Sequence, residues 1–338
     1  MFYIDHGQGG GPEVLRAMRA ARPTPAADEV LIEVAYAGVN RPDCAQRIGR
    51  YLPPADASPV LGLEVAGRVV AVGADVGTWQ PGDLVCALTP GGAYAEYCVA
   101  PAAHCLPVPD GWSLEAAACL PEALFTVWDN VFRRARLRAT ETVLVHGGSG
   151  GVGNAAVQLA RAMGATVIAT AGSQDKATRC LAIGAHHAID YRTEDFVARA
   201  MDITGGRGVD VVNDMVAGPY IARDLEALAL DGRIALIAFM GGARAEIDVL
   251  PILRKRATIT GSTLRPCSRA HKAAIAADLR AQVWPLLRQG LCKPQVERVL
   301  PLAAAADAHR LMESGAHFGK IVLRAAAADA AWAEGQQP

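Results

Sequence analysis

The feature that most constrains this chain is a glycine turn set between an apolar run and a helical one. Residues 142–146 read Thr-Val-Leu-Val-His, and Gly148-x-Gly150-x-x-Gly153 comes almost at once after them. Beyond it, Val152, Ala156, Leu159 and Met163 keep helical spacing across residues 151–163. A glycine pattern alone is a weak signal, but one that closes a strand and opens a helix gives each glycine a task. Gly148 permits the tight turn, Gly150 lets backbone approach a pyrophosphate, and Gly153 lets the helix pack on the strand. The free N–H groups and positive end of that helix would then face the anion. The expected phosphate cradle is therefore Gly148, Ser149, Gly150, Gly151, Val152 and Gly153.

Past the turn, the strand-then-helix rhythm repeats. Strand-like runs at 166–170, 188–190, 209–212 and 233–239 alternate with helical runs at 175–183, 193–204 and 220–230. Strands alternating with helices of this length mean a parallel sheet with crossovers, here an α/β, doubly wound, Rossmann-type domain over residues 122–261. The first third of the chain has another rhythm. Residues 29–35 alternate charged and aliphatic side chains, 61–73 and 83–88 are short strand runs, and a turn at 90–92 leads into 93–99. Strands this closely spaced suggest a small barrel-like module. Past a β-branched run at 258–261 come a helical stretch at 269–287, a strand at 296–300, a helix at 303–313 and a last strand at 319–324. Residues 1–121 and 262–338 are thus expected to pack as one domain, with the nucleotide domain inserted between them. The alanine-rich tail from residue 325 is expected to fray.

Composition removes several classes of function. The longest stretch without a formal charge, 142–160, is interrupted by Gly147, Gly148, Gly150, Gly151 and Gly153, which a membrane helix tolerates poorly. The first residues lack the basic-then-apolar pattern of a signal peptide, so a soluble, cytoplasmic protein is expected. The formal net charge is −1, and the one tight basic cluster, Arg254-Lys255-Arg256, reads as a solvated strand entrance. No nucleic-acid surface is indicated. The 8 cysteines are scattered, with no Cys-x-x-Cys pair and no spacing that suits a zinc lobe.

The end of the second strand of the series speaks to which nicotinamide is bound. NAD sites place Asp or Glu there for the ribose 2′-hydroxyl. Here the strand ends Thr170-Ala171-Gly172-Ser173, with no carboxylate before Asp175. A 2′-phosphate would meet no repulsion, Ser173 can donate to it, and Lys176 supplies charge one turn on. Ser173 as helix N-cap and Lys176 as a surface lysine are the plainer readings, and they are compatible with the first. NADPH is expected over NADH.

Several segments occur together in order: residues 10–15 (Gly-Gly-Pro-Glu-Val-Leu), 37–43 (Ala-Gly-Val-Asn-Arg-Pro-Asp), 62–67 (Gly-Leu-Glu-Val-Ala-Gly), 92–97 (Gly-Ala-Tyr-Ala-Glu-Tyr) and 146–153. Residues 205–210, 261–265 (Gly-Ser-Thr-Leu-Arg) and 317–322 (His-Phe-Gly-Lys-Ile-Val) complete the series. Together they resemble the zinc-free quinone oxidoreductases of the medium-chain dehydrogenase/reductase superfamily, nearest the p53-inducible branch. The resemblance implies a GroES-like catalytic domain with the Rossmann domain inserted, and a nicotinamide cleft between them. It implies NADPH-dependent reduction of a small quinone or enone by a homodimer, paired through the edge strand at 257–261. Zinc-dependent relatives carry Gly-His-Glu and an upstream cysteine; this chain has Leu63 and Asn40 there, so no metal is expected.

By the same resemblance, Asn40, Tyr51 and Thr126 line the cleft as catalytic candidates. Gly172, Ser173, Lys176 and Tyr191 would hold the 2′-phosphate, and Phe239, Met240 and Gly241 would flank the nicotinamide. Leu264, Arg265, Phe318, Gly319 and Lys320 would close around the cofactor. The remaining polar residues read as structural. His146 suits a packed core histidine better than a base, and His317 suits packing on the cofactor side or a helix-end partner. Cys44 and Cys119 suit inert core thiols, and Glu64 and Asp43 suit structural hydrogen bonds. Two rival functions remain. One is reduction of an activated alkene, an enone or enoyl thioester; the other is a non-catalytic NADPH-binding or structural protein.

Overall fold

The computed structural model describes residues 1–325, so the expected fraying of the alanine-rich tail lies outside the described residues. Two compact units divide the chain. One comprises Met1–Phe125, Arg265–Arg288 and the chain from Pro294; the other comprises Thr126–Leu264 and Gln289–Lys293.

The second unit holds a six-stranded sheet, parallel throughout. Its spatial order is His187–Asp190, Thr166–Ala171, Thr142–Val145, Val209–Asp214, Leu228–Leu236 and Thr258–Gly261. The order reverses direction between Thr142–Val145 and Val209–Asp214, and ligands of such sheets bind beyond the strand ends at that reversal. This is the doubly wound arrangement that the alternation implies. Leu144, Ile168, Ile189, Val212 and Ile234, one from each of the first five strands in this order, are fully buried, and Phe196 packs with them from the helix Phe196–Ile203.

Local corrections have local causes. The helix expected over 220–230 ends at Ala227, because Leu228 already pairs with Val209 as the start of a strand. The register resumes only at Val211 opposite Arg233, so three extra residues are absorbed, with Asp231 at φ 61°. That strand stops at Leu236, and Phe239 lies beyond it in a loop. The helix expected from 193 starts at Phe196, where the Asp195 carboxylate takes the backbone N–H groups of Val197 and Ala198. Residues 93–96 form no strand; Ala95 makes a single bridge to Tyr3, and the strand begins at Tyr97. The long helix at 269–287 is three segments, Arg269–Asp278, a π-helical Leu279–Val283, and Trp284–Arg288.

In the first unit a seven-stranded sheet is organised around the long strand Glu29–Val39. One half of that strand pairs with Tyr97–Pro101, the other with Lys320–Arg324, and Glu64–Val72 runs along most of its length. Leu84–Leu88, Cys105–Pro107 and Val296–Pro301 complete the sheet. Beneath it, the short helix Arg41–Arg47 is joined to Ala305–Ser314 by a buried polar chain. The Arg47 guanidinium donates to His309 Nδ1 at 3.0 Å and also pairs with Glu313. Since arginine can only donate, Nδ1 must accept and Nε2 must carry the proton. Nε2 therefore donates to the Tyr94 hydroxyl at 3.1 Å, and Tyr94 donates to Asp43 at 3.1 Å. Burial drives His309 down to about 3, which keeps it neutral. All 8 cysteines are free thiols, and among the described residues no helix is long and apolar enough to cross a membrane.

Candidate functional site

The glycine turn is built almost wholly from backbone. Gly147 takes φ 64°, which favours glycine, and the Gly148 N–H donates to Thr170 O on the neighbouring strand at 2.9 Å. Asn154 reaches back to the Gly148 carbonyl at 2.6 Å. A side chain at Gly153 would run into the Gly147 carbonyl, so the helix Gly151–Ala162 can approach the strand only with glycine there. Gly150 is its N-cap and supplies no side chain to the first-turn N–H groups. Those donors face outward at the sheet's point of reversal, as a pyrophosphate requires. Behind the turn, His146 is fully buried between Thr170 Oγ1 at 3.1 Å and Asp224 at 2.8 Å.

The end of Thr166–Ala171 and its neighbour His187–Asp190 bring a second group together. Ser173 caps the helix Gln174–Ala182, its hydroxyl accepting from the Lys176 N–H at 3.3 Å. The Tyr191 hydroxyl stands over Gly172, only 2.7 Å from where a side chain at that glycine would begin. Gly172, Ser173, Lys176 and Tyr191 thus cluster at one strand end, and no carboxylate stands at the end of that strand. Phe239, Met240 and Gly241 lie in the loop after Leu228–Leu236, where Gly241 N–H donates to Val216 O at 2.6 Å. The Phe239 and Met240 side chains are 67% and 57% exposed, large apolar groups left at the surface of this unit. Thr126 sits near the end of Pro121–Val127, just before the π-helical segment Trp128–Arg134. Its carbonyl takes the Asn130 side-chain amide at 3.0 Å, and Ser262 donates to the other side of that amide at 2.9 Å. Leu264 is buried.

The first unit carries a cluster of charge instead. Glu64 is wholly buried and accepts from Lys320, from Asn40 Nδ2 at 2.8 Å and from the Glu122 backbone N–H at 2.9 Å. Lys320 also donates to Asn40 Oδ1 at 2.7 Å. Burial alone would discharge this lysine, but the Glu64 carboxylate outweighs it and holds its pKa above the ordinary value. The sequence expectation set Lys320 against the cofactor; its ammonium is engaged with Glu64 and Asn40. Asp43 accepts from the Asn40 N–H at 2.8 Å and from Tyr94, so both acids hold the structural hydrogen bonds expected of them. Gly319 takes φ 88° against the Gln295 carbonyl, and Phe318 beside it is buried. His317 is buried too, immediately before them.

Tyr51 lies half-buried with the Arg265 guanidinium 5.5 Å from its ring centre. Arg265 donates to Pro90 O and to Gln46 Oε1, each at 2.8 Å. Burial pushes the Tyr51 phenol up to about 12, with the Glu122 carboxyl as the next cause. Glu122 itself is raised to about 8, by burial first and by the negative Glu64 second. Sequence reasoning passed over Glu122. An acid in the first turn of a helix ordinarily reads as a partner of the helix dipole, and only its neighbours from four other segments mark it out.

Two family models match the chain: "Alcohol dehydrogenase GroES-like domain" over residues 26–110 and "Zinc-binding dehydrogenase" over residues 151–279. The chain is 34% identical over 319 residues to a quinone oxidoreductase of Rattus norvegicus, covering 93% of this chain and 94% of that protein. It is similar to the crystal structure of Escherichia coli quinone oxidoreductase complexed with NADPH, with a TM-score of 0.85 at 32% identity, covering 96% of this chain and 100% of that one. The crystal structure of an NAD-dependent alcohol dehydrogenase is similar to the same degree, with a TM-score of 0.84 at 33% identity, covering 96% of this chain and 99% of that one.

Proposed function

Because the chain belongs to the medium-chain dehydrogenase/reductase superfamily, among its quinone oxidoreductases, we propose that it reduces quinones with NADPH and without zinc. That it is an oxidoreductase using a nicotinamide nucleotide comes from the family; acceptor, phosphate choice and metal independence are the proposal. The observation that carries the choice of NADPH is the strand end at Ala171, where Gly172, Ser173, Lys176 and Tyr191 gather and the strand itself carries no acid before Asp175. A carboxylate there would bond a ribose hydroxyl and repel a phosphate.

The protein's own contribution is to bind, to orient and to handle a proton. NADPH, when bound, supplies the hydride. The first-turn N–H groups beyond Gly150 hold its pyrophosphate, and Lys176, Ser173 and Tyr191 grip the 2′-phosphate. Phe239, Met240, Gly241 and Leu264 are the groups assigned to the nicotinamide, with Thr126 held in place by Asn130. Asn40 and Tyr51 serve the acceptor. A phenol near 12 stays protonated at neutral pH, so Tyr51 donates a hydrogen bond to the acceptor's carbonyl oxygen as negative charge develops there. A zinc ion has no role in this scheme. Leu63 is buried and apolar, and the Asn40 and Glu64 oxygens already hold the Lys320 ammonium, which would repel a metal cation.

The edge strand Thr258–Gly261 and the helix Leu250–Lys255, with Leu253 72% exposed, support pairing of two copies through this edge. Sedimentation at micromolar concentration should give twice the chain mass; a single-chain mass would remove the dimer. The functional test is NADPH oxidation with a quinone, an enone and an enoyl thioester in turn, with metal analysis of the same sample. Quinone turnover highest, surviving a strong chelator, is expected. Preference for the enone or thioester would transfer the assignment to alkene reduction, and no turnover despite NADPH binding would leave a non-catalytic binder.

A further inference from the structure

The glycine turn has an anchor that its own residues do not supply. Thr170, on the neighbouring strand Thr166–Ala171, accepts the Gly148 N–H at its carbonyl and the Gly147 N–H at its hydroxyl, at 2.9 and 3.3 Å. The second of these bonds fixes the peptide that joins His146 to Gly147. The Gly147 carbonyl in turn accepts at 2.9 Å from Gly150, the N-cap of the helix Gly151–Ala162. Whatever fixes the Thr170 hydroxyl therefore bears on where the first-turn N–H groups of that helix point.

The hydroxyl is fixed from behind. His146 places Nδ1 3.1 Å from Thr170 Oγ1 and Nε2 2.8 Å from Asp224 Oδ1, with all three residues buried in the second unit. A carboxylate can only accept, so the ring carries a proton on Nε2. With its single proton there, Nδ1 accepts, and the Thr170 hydroxyl donates to it while taking the Gly147 N–H. One directed chain results: Gly147 N–H to Thr170, Thr170 to His146, His146 to Asp224. Phe196 and Tyr220 hold the ring in place, packing across it in edge geometry at 4.7 and 5.1 Å between centres. Asp214, also wholly buried, is occupied by the Val216 and Ala217 N–H groups, which leaves Asp224 as the ring's acid. A buried imidazole needs partners wherever it lies. What sets this one apart is that one of its partners also holds the turn.

We propose that Asp224, His146 and Thr170 are positioning residues for the nucleotide. They hold the Gly147 peptide, and through it the phosphate-binding end of the helix Gly151–Ala162, in place before the ligand arrives. The inference rests on the turn's being the pyrophosphate site of the reading above. None of the three side chains touches the nucleotide, and no covalent bond is made or broken. Their contribution is preorganisation: the donors are ordered on folding, so binding does not have to order them. NADPH and NADH carry the same pyrophosphate, so the chain serves both alike, unlike Lys176, which serves the 2′-phosphate alone.

The experiment is fluorescence titration of the folded protein with NADPH and with NADH, alongside steady-state kinetics. Thr170→Val removes the hydroxyl and keeps the shape. It should weaken both nucleotides about tenfold and raise KM, with kcat held within about threefold. Thr170→Ser returns the hydroxyl and should bind both within about threefold of wild type. Val209→Ala opens the same core at the far end of the strand Val209–Asp214 and should leave both affinities unchanged. Wild-type affinity in Thr170→Val, a loss confined to NADPH, or an equal loss in Val209→Ala would each overturn the proposal. Nitrogen-15 NMR of histidine-labelled wild-type protein reads the chain without any ligand. At neutral pH the His146 ring, assigned by its disappearance in His146→Asn, should be the neutral Nε2–H tautomer. A proton on Nδ1 of that ring would equally overturn the proposal. Wild-type protein that binds neither nucleotide would instead remove the pyrophosphate reading, and the histidine spectrum would still decide the state of the chain.

Discussion

The glycine turn and the buried charged cluster of this molecule are made in opposite ways. The glycine turn is local: within a few residues Gly147, Gly148, Gly150 and Gly153 shape a backbone cradle, anchored from afar by Thr170, which accepts from the Gly147 and Gly148 N–H groups. The charged cluster is assembled from Asn40, Asp43, Glu64, Lys320 and the Glu122 backbone N–H, drawn from distant parts of the chain and joined by hydrogen bonds. Backbone donors are fixed once the turn forms, and they serve any anion of the right shape. Buried side-chain charges have meaning only in company, because each must be compensated by the others. The first region should therefore fail residue by residue in binding. The second should fail collectively, in stability.

The largest expected effect tests that collective character. Lys320→Met leaves Glu64 buried with its cation gone, which should cost about 3–5 kcal/mol of folding stability. Chemical denaturation would measure it. Adding Glu64→Gln to the same chain should restore a large part of the loss, since it removes the stranded charge. A double mutant no more stable than Lys320→Met alone would show that the pair is not the unit proposed.

This contrast also explains what the sequence disclosed. The turn and the strand–helix alternation were legible because both are local patterns of residue type and spacing. Asn40, Tyr51 and Arg265 came from family resemblance, and Glu122 and the Arg47–His309–Tyr94 chain escaped notice. No periodicity reports that residue 47 will meet residue 309, or that residue 122 will lie among residues 43, 64 and 265. The misplaced end at 227 has a related cause. Leu228 and Ala229 continue an apolar helical spacing, yet the sheet partner Val209 recruits them, a tertiary decision that local propensity does not encode. Likewise the family resemblance sets Lys320 at the cofactor, and only the packing brings its ammonium onto Glu64 and Asn40.

In the nucleotide region a smaller, more selective effect is expected. A charge-assisted hydrogen bond from Lys176 to a 2′-phosphate is worth about 1.5–3 kcal/mol. Lys176→Ala should weaken NADPH by roughly ten- to a hundredfold and leave NADH nearly unchanged, as fluorescence titration would show. Equal losses for both cofactors would return Lys176 to the surface. Smaller still is the effect of Tyr51→Phe with a quinone acceptor, about tenfold in turnover at unchanged NADPH affinity. Steady-state kinetics checks it, and an unchanged rate would make Tyr51 a packing residue of its loop.

The most direct test of the account compares kcat/KM for NADPH and NADH with the wild-type protein and one quinone acceptor, at neutral pH and low salt. If the strand end at Ala171 is a 2′-phosphate site and the chain a quinone reductase, NADPH should be favoured by at least about tenfold. Equal efficiency with the two cofactors, or a preference for NADH, would contradict the central claim.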